Sequence, residues 1–305
     1  MTYSITARCP DTGMLGIGLA TCLPAGGRVA RFIEPGVGVV ASQARLLAAH
    51  GTRVLDAMRD GATPGEALTA SLALDEGAEH RQVGVVAADG TTAVHTGGLC
   101  VPYAGHVVGD GFTVQANMML APGVPEAMAG AFEAAAGAHL ADRLLAALDA
   151  AEALGGDIRG RQCAAVHVRN AEATGDLLVD VVVDVRVDDD PEPLVPLRGL
   201  VSTALGFAAG SRAGDLLQAG DLRAAQEEYG EALARAGGDP QVPFWHAVEL
   251  AAAGHVTEAA GAWADLAARS GTGQWAELLA RMVATGLVDP AVADVLTGGK
   301  PPSGP

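Results

Sequence analysis

The sequence has few aromatic side chains and only one lysine. Phe, Trp and Tyr make up 4% of its 305 residues, although half of all residues are hydrophobic. Ala, Val, Leu and Gly must therefore fill the core, which predicts close packing of small side chains. The one lysine, Lys300, lies in the tail segment GGKPPSGP. A site in the folded core therefore has no lysine to act as a base or to form a Schiff base.

Basic charge is scarce in general. The net charge is −17, which argues against a nucleic-acid partner because binding to phosphates needs a basic face. No apolar run approaches the roughly 18–20 residues of a membrane helix, and the first residues lack the basic and apolar regions of a signal peptide. We therefore expect a cytoplasmic protein that binds neither nucleic acid nor membrane.

The common metal and cofactor signatures are also absent. The four cysteines, at positions 9, 22, 100 and 163, form no C-x-x-C pair, and the histidines form no H-E-x-x-H or other close pair. The glycine motifs of phosphate-binding loops, dinucleotide-binding folds and serine hydrolases do not occur. The sequence thus predicts no disulfide framework, no metal site and no cofactor.

The order of strand and helix signals predicts a sandwich of two antiparallel sheets over residues 1–208. Groups of strand-like segments are separated by two pairs of helical segments, near 43–74 and 122–153. Antiparallel sheets stacked on each other need helices over their outer faces. We therefore predict an α+β fold with four layers in the order αββα. Strands are expected near residues 2–8, 15–21, 36–42, 82–88, 91–97, 112–118, 163–170 and 177–187.

From about residue 209 no strand signal remains, and two segments repeat. LQAGDLRAAQEEYGEAL and LAAAGHVTEAAGAWADL align so that Gly220 matches Gly254 and Ala225 matches Ala259. The offset of about 34 residues is the period of a tetratricopeptide repeat. We predict a helical-repeat domain over 209–296 and a disordered tail over 297–305. An Ala-rich pair of helical hairpins without repeat ancestry is the alternative.

The segment MTYSITARCPDTGMLGIGLA starts its strand pattern at Thr2. Removal of Met1 would leave Thr2 with a free α-amine, whose reference pKa is about 7.7–8.0. A neutral amine beside its own hydroxyl is a ready base, and a threonine paired with its amine is a recognised nucleophile. The alternative is that a threonine at position 2 only opens the strand.

Polar residues gather at the ends of two predicted hairpins and in one strand. In VQANMM, Gln115 and Asn117 share one face of a strand that otherwise looks buried. These amides can form a structural network, because buried amides need partners, or they can stabilise an oxyanion. HRQVGVV and HTGGLCVPYAGH contribute a further cluster, made of His80, Arg81, Gln82, His95, Thr96, Cys100 and His106.

A charged pair follows two glycines in GGDIRGRQCAA. Asp157 and Arg159 predict either an ion pair that clamps this loop or an arginine that binds a substrate carboxylate with both arms of its guanidinium.

These segments together resemble the family of domain of unknown function 1028, which belongs to a branch of the N-terminal-nucleophile (Ntn) hydrolases. Besides the N-terminal segment, the resemblance rests on GVGVVASQA, HRQVGVVAADG, HTGGLCVPYAGH, GFTVQANMM, GGDIRGRQCAA and VDVRVDDDPEPLVPLRGL. It covers residues 1–200 and implies an αββα fold, Thr2 as nucleophile and hydrolysis of an amide bond. It implies no particular substrate. Our candidate substrate-binding residues are Ser42, Gln43, Arg81, His95, Gln115, Asp157 and Arg159.

The sequence departs from the family's pattern after LGIGLA. Where the resemblance implies a serine, a basic residue and an aromatic residue, this chain has Thr21, Cys22 and Leu23. A basic side chain at that place would stabilise charged states of the nucleophile. Its absence keeps open a second hypothesis, that the chain is a catalytically silent ligand-binding or scaffold protein.

Our first hypothesis is an amide hydrolase for a small or peptide-like amide, with Thr2 as nucleophile and with Asn117, or another backbone or amide donor, at the oxyanion. A third possibility is self-cleavage between Gly90 and Thr91, although the Asp-Gly pair before Thr91 is explained by a hairpin turn. Two helical repeats are fewer than the roughly three of a free-standing solenoid. We therefore expect a homodimer, and the helical tail is a candidate site for a protein partner.

Overall fold

The computed structural model describes residues 2–29 and 32–298. The chain divides into two compact units, one ending at Val201 and one beginning at Ser202. The division falls inside a helix, whereas the sequence suggested a boundary after 208. The predicted disordered tail, apart from its first two residues, lies outside the described residues.

The first unit contains a six-stranded antiparallel sheet. Its strands, in spatial order, are β10 (Val181–Val187), β9 (Cys163–Arg169), β2 (Leu15–Thr21), β1 (Tyr3–Arg8), β8 (Phe112–Ala116) and β7 (Gly105–Gly109). The predicted hairpin at the start of the chain is present as β1 and β2. The central strands β1 and β2 are almost entirely buried.

One predicted strand begins later than expected. Leu177–Asp180 form a short helix, α5, before β10 starts. The side chain of Asp180 accepts hydrogen bonds from the backbone N–H and the hydroxyl of Thr174, at 2.7 and 2.8 Å. Asp176 caps the backbone N–H of Leu178 at 2.9 Å. These side-chain contacts satisfy the backbone in a turn and so compete with an extended strand.

The second sheet of this unit has four antiparallel strands, in the order β3 (Phe32–Glu34), β4 (Gly38–Ala44), β5 (Arg81–Ala87) and β6 (Thr92–Thr96). The helix predicted from residue 43 begins later, because β4 continues through Ala44. Strands β3 and β7 were not predicted. The predicted hairpin around Asp89 and Gly90 joins β5 to β6.

A pair of helices packs on each sheet. α1 (Ala49–Arg59) and α2 (Pro64–Ala73) contact the four-stranded sheet, and α3 (Val124–Ala134) and α4 (Leu140–Ala153) contact the six-stranded sheet. Thr63 caps α2 with a capping box that includes Glu66, as the sequence TPGE predicts. The first two helices of the chain thus cover the four-stranded sheet, and the next two cover the six-stranded sheet.

The two sheets face each other through β1 and β2 on one side and β4 and β5 on the other. One part of this interface is apolar and includes Leu15, Ile17 and Val39. The other part, where β1 and β8 meet β4 and β5, is lined by buried Ser, Thr and Gln side chains. Gly84 permits this close approach, since a Cβ there would lie 2.1 Å from Gln115 Nε2.

The second unit is helical throughout its described residues. It comprises the C-terminal part of α6 (Leu194–Gln218), α7 (Leu222–Arg235), α8 (Gln241–Ala252), α9 (Val256–Ser270), α10 (Gly273–Ala284) and α11 (Pro290–Thr297). Gly220 and Gly254 end equivalent helices with φ of 83° and 84°, and Ala225 and Ala259 are both fully buried. The predicted repeat positions are therefore structurally alike, while the tetratricopeptide assignment stays a prediction.

Helix α6 bears on the expectation that no segment resembles a membrane span. By length and composition it is able to cross a membrane, with a mean hydropathy of 1.2 in its most apolar window, of which 33% is buried. Core helices of soluble proteins meet the same two criteria, so one such helix is weak evidence of a membrane.

Candidate active site

The backbone of Thr2 is held by three hydrogen-bond donors. Its carbonyl oxygen accepts from the backbone N–H of Asn117 at 3.2 Å, from Asn117 Nδ2 at 3.1 Å and from Gln43 Nε2 at 3.1 Å. Thr2 is half-buried, and its hydroxyl has no hydrogen-bond partner among the residues that the structure describes. The residue is therefore fixed in position while its side-chain oxygen stays available.

Buried amides connect Thr2 to the interior of the sandwich. Gln43 Nε2 also donates to Gln82 Oε1 at 2.7 Å, and its Oε1 accepts from the hydroxyl of Ser4 at 2.6 Å. Gln82 Nε2 lies within 3.0 Å of the carbonyls of Gly105 and Ala116. Since backbone carbonyls only accept, they fix which end of the Gln82 amide is nitrogen. The network thus has one consistent orientation, in which Gln82 Oε1 faces Gln43.

Asn117 offers an acceptor rather than a donor. Its Nδ2 lies 3.1 Å from the Thr2 carbonyl and 2.9 Å from Gln82 Oε1, so both amide hydrogens are used. Its Oδ1 is buried and has no hydrogen-bond partner within the described part of the chain. An oxyanion needs donors. The predicted oxyanion role of Asn117 is therefore revised: this side chain positions Thr2 and leaves an acceptor free.

A pocket of about 310 Å³ lies against Asn117. Apolar side chains and two basic ones line it, and the full lining is Ala44, Arg45, His80, Leu99, Cys100, Val101, Asn117 and Met118. The basic groups, Arg45 and His80, have no acidic partner among the described residues. Burial raises the pKa of the Cys100 thiol, so this cysteine stays protonated at neutral pH. The pocket therefore has a positive and partly apolar lining.

Two residues of the pocket have strained backbones. Ala44 and Met118 have φ of 67° and 58°, a left-handed conformation that non-glycine residues seldom adopt. Such conformations are concentrated at binding and catalytic sites, where the surrounding structure maintains them. Ala44 directly follows Gln43, and Met118 directly follows Asn117. Gln43 and Asn117 are the residues that hold Thr2. The strain thus lies where the chain leaves the amide network and enters the pocket wall.

Arg81 contacts Arg45, one of the residues that line the pocket, but does not line the pocket itself. Its Nε lies 2.7 Å from Asp75 Oδ2, and its Nη1 donates to the carbonyl of Arg45. The Arg81 guanidinium is the largest cause that holds the pKa of the Asp75 carboxyl well below its usual range, and a hydrogen bond from His50 adds to it. With its donors occupied in this way, Arg81 has a structural role, so the geometry does not favour its predicted contact with substrate.

Asp157 and Arg159 form an ion pair that clamps their loop, which is one of the two arrangements that the sequence predicts. Arg159 Nε and Nη2 lie 3.1 and 2.7 Å from the two carboxylate oxygens of Asp157. The same buried carboxylate accepts from the backbone N–H groups of Arg159 and Cys22, at 3.0 and 3.2 Å. The side chain at position 22, where the resemblance implies a basic residue, therefore has Arg159 beside it, with the charge of that arginine balanced by Asp157.

The remaining predicted site residues lie away from the pocket. Ser42 donates to the carbonyl of Leu47 at 3.0 Å, because alternation along β4 turns it to the face opposite Gln43. His95 Nε2 is paired with the carbonyl of Ala78 at 3.0 Å. Gln115 is fully buried in the network, and its Oε1 lies 3.0 Å from Ser4 Oγ. These three side chains stabilise the fold around the site and do not contact the pocket.

Sequence reasoning did not include several residues that build this site. Gln82 and His80 belonged to the polar cluster in HRQVGVV but were not selected as site residues. Arg45 and Met118 carried no pattern of their own, because they enter the pocket only through the end of β4 and the end of β8. A sequence signal existed for Gln82, since a glutamine in a strand of buried valines requires partners.

Comparison with known proteins identifies the family to which the first unit belongs. The profile of a family of unknown function, DUF1028, matches residues 2–197. This chain belongs to the DUF1028 family. It is similar to protein SPO2555 from Silicibacter pomeroyi, a crystal structure assigned to the same family, with 31% sequence identity and a TM-score of 0.60. That match covers 67% of this chain and 85% of the other. No curated protein matches this DUF1028 chain.

The family match ends within the first turn of α6, so α7–α11 lie outside it. Within residues 2–29 and 32–298, no group of three or more His, Cys, Asp and Glu side chains is arranged to hold a metal ion. The site around Thr2 in this DUF1028 protein is therefore built from a hydroxyl, amides and the two basic side chains of the pocket.

Proposed function

We propose that this DUF1028 protein is an Ntn hydrolase of αββα fold that cleaves a small or peptide-like amide with Thr2. The observation that carries the proposal is the anchoring of Thr2. Three donors hold its carbonyl oxygen just before β1. Two of them belong to Asn117, which lines the pocket, and the Thr2 hydroxyl has no hydrogen-bond partner among the described residues. Two sheets stacked between two pairs of helices support the same assignment.

The chemistry requires removal of Met1. Thr2 Oγ1 then attacks the carbonyl carbon of the amide, and the α-amine of Thr2 takes the hydroxyl proton. The proton passes to the leaving nitrogen as the C–N bond breaks, which leaves the acyl group as an ester on Thr2. Water, activated by the same amine, hydrolyses that ester. Restraint of the Thr2 carbonyl keeps amine and hydroxyl in one geometry through both steps.

The pocket indicates which part of a substrate it would accept. Arg45 provides positive charge, and Arg45 and His80 both provide polar groups that can contact a substrate. Leu99 and Val101 give an apolar rim. These features fit a substrate that carries a carboxylate or another anionic group beside its scissile amide.

Mass spectrometry and an acylating probe test the nucleophile. We expect the purified chain to lack Met1 and to be uncut. A β-lactone should then form an ester that maps to Thr2 and that hydroxylamine cleaves. Thr2→Ala should slow this labelling by on the order of a hundredfold or more, and Thr2→Ser should retain part of it.

Thr91→Ala is the matched control. Thr91 is exposed and its hydroxyl donates to Asp89 Oδ1 at 2.6 Å, so this variant should label as the wild type does. Cleavage between Gly90 and Thr91 would instead support the self-processing alternative. Retention of Met1, or equal labelling of Thr2→Ala, would contradict Thr2 as the nucleophile.

A second candidate function is ligand binding without catalysis. Cys22 favours it, because this residue replaces the basic side chain that the resemblance implies, and the charge of Arg159 beside it is balanced by Asp157. The same pocket would then hold the anionic ligand without cleaving it, and the mass-spectrometric test distinguishes the two functions.

A further inference from the structure

A second pocket lies entirely within the helical unit, outside the region that the family profile matches. Its volume is about 300 Å³, and α6, α7 and α8 enclose it. The sequence has five Phe, three Tyr and three Trp residues, and one of each lines this pocket. The lining consists of Phe207, Gly210, Ser211, Tyr229, Val242, Trp245, His246 and Glu249. In a chain so poor in aromatic residues, their convergence points to a ligand.

Polar atoms in the wall lack partners. His246 is 4% exposed, and its Nδ1 has no hydrogen-bond partner among the described residues. Its ring stacks on that of Tyr229, with centroids 3.6 Å apart and planes 16° from parallel. The buried hydroxyl of Tyr229 is likewise without a partner there. Because most buried polar atoms are hydrogen-bonded, unpartnered ones in a pocket wall are candidate contacts for a bound ligand.

Glu249 contributes a carboxyl group to the same pocket wall. No basic side chain of the described residues forms an ion pair with it. Burial, with a smaller contribution from Asp215, raises the pKa of Glu249 to about 7. Helix α6 passes close by, since a Cβ at Gly214 would lie 3.0 Å from Glu249 Oε1. The basic residue Arg212 on that helix pairs instead with Glu228, at 2.8 Å.

From this combination we propose that the pocket binds a small organic ammonium ion. Trp245 and Phe207 would present their ring faces to the cation, and the Glu249 carboxylate would neutralise it. Trp245 is 41% exposed and Phe207 36%, so both lining residues are partly accessible from solvent. This site is separate from the proposed hydrolase chemistry of Thr2.

Other ligand classes fit less well. An anion would meet Glu249 and Asp215, which repel it. A calcium ion takes six to eight oxygen ligands, whereas one carboxylate lines this pocket. A neutral apolar ligand would fill the space but would leave the Glu249 carboxyl group without a partner. An organic ammonium is attracted to aromatic faces and to a carboxylate together.

Calorimetric titration of the full-length chain tests the proposal with choline and butylamine as probes. We expect saturable binding of at least one cation. The neutral analogues 3,3-dimethylbutanol and butanol should bind at least about tenfold more weakly, as expected for the loss of a cation–aromatic contact and its counter-charge. Glu249→Gln, which keeps the shape of the side chain, should weaken cation binding by a similar factor.

Two further variants complete the test. Trp245→Leu removes an aromatic face but keeps apolar bulk, and should also weaken binding. Glu258→Gln makes the same charge change on α9, outside the pocket lining, and should leave affinity unchanged. The proposal is overturned if neither cation binds saturably, if the neutral analogues bind equally well, or if Glu249→Gln binds as the wild type does.

Discussion

At the scale of single residues, the site depends on which atoms of buried amides are already used. Asn117 donates both of its amide hydrogens, one to the Thr2 carbonyl and one to Gln82 Oε1. Its side chain therefore cannot donate a hydrogen bond to an oxyanion. Gln43 Nε2 lies within hydrogen-bond distance of three acceptors, although it has only two hydrogens to donate. Side chains so fully engaged have little freedom to move. We infer that their function is to hold Thr2, and that substrate is contacted by the pocket residues.

The Asp157 clamp gives a prediction at this scale. Asp157→Ala should lower the free energy of unfolding by about 3 kcal/mol, because it leaves Arg159 and two backbone N–H groups without their buried acceptor. Arg159→Ala should cost less, about 1 kcal/mol, because the Asp157 carboxylate keeps the N–H groups of Cys22 and Arg159. Urea denaturation of both variants measures the two losses.

The double variant is the internal control for the clamp. Because the two side chains contact each other, their losses should not add, and the double variant should resemble Asp157→Ala. A larger loss for Arg159→Ala than for Asp157→Ala would show that the arginine, and not the backbone contacts, makes the carboxylate important.

At the scale of elements, most of the first unit was predictable from local pattern. Polar and apolar residues alternate along β1, and β2 is mostly apolar. The two strands meet across a short turn, so their pairing can be predicted from neighbouring residues alone. β3 has only three residues and β7 is half-exposed, which gives neither a clear hydrophobic signal. The site was predictable only in part. Thr2 stood out by position, whereas Arg45 and Gln82 gain their roles from contacts between strands distant in the sequence.

Helix α8 gives a prediction about pH, because it carries both Glu249 and His246. Between pH 4.5 and about 7 the folded protein keeps a proton on Glu249 that the unfolded chain has lost. This carboxyl therefore destabilises the fold progressively as pH rises through that window. Glu249→Gln cannot ionise, so its melting temperature should exceed that of the wild type by more at pH 8 than at pH 5.

The other titrating groups near Glu249 do not confuse this comparison. Burial lowers the pKa of His246 to about 4 and raises that of Tyr229 to about 12, but both groups, like Asp215, are present in wild type and variant alike. Thermal melts at the two pH values measure the difference, and Glu258→Gln serves as the control. An equal gain at both pH values would mean that the Glu249 charge is compensated in the fold.

At the scale of the whole molecule, exposed apolar surface indicates where a second copy would bind. Strand β10 is an edge of the six-stranded sheet, and α5 directly precedes it. Leu177, Leu178 and Val179 on α5 are 69%, 92% and 50% exposed. Three successive exposed apolar side chains beside an unpaired sheet edge are typical of an interaction surface. A two-fold dimer is the commonest way to cover such a surface.

We therefore predict that the chain is a homodimer through α5 and β10, and that Leu178→Asp makes it a monomer. The aspartate would place a charge at the centre of the covered surface, while in the monomer it points into water and leaves the fold intact. Light scattering coupled to size-exclusion chromatography measures the mass. Leu74→Asp is the matched control, since Leu74 is 70% exposed at the end of α2, away from this edge. A wild-type monomer, or a dimer that survives Leu178→Asp but not Leu74→Asp, would place the interface elsewhere.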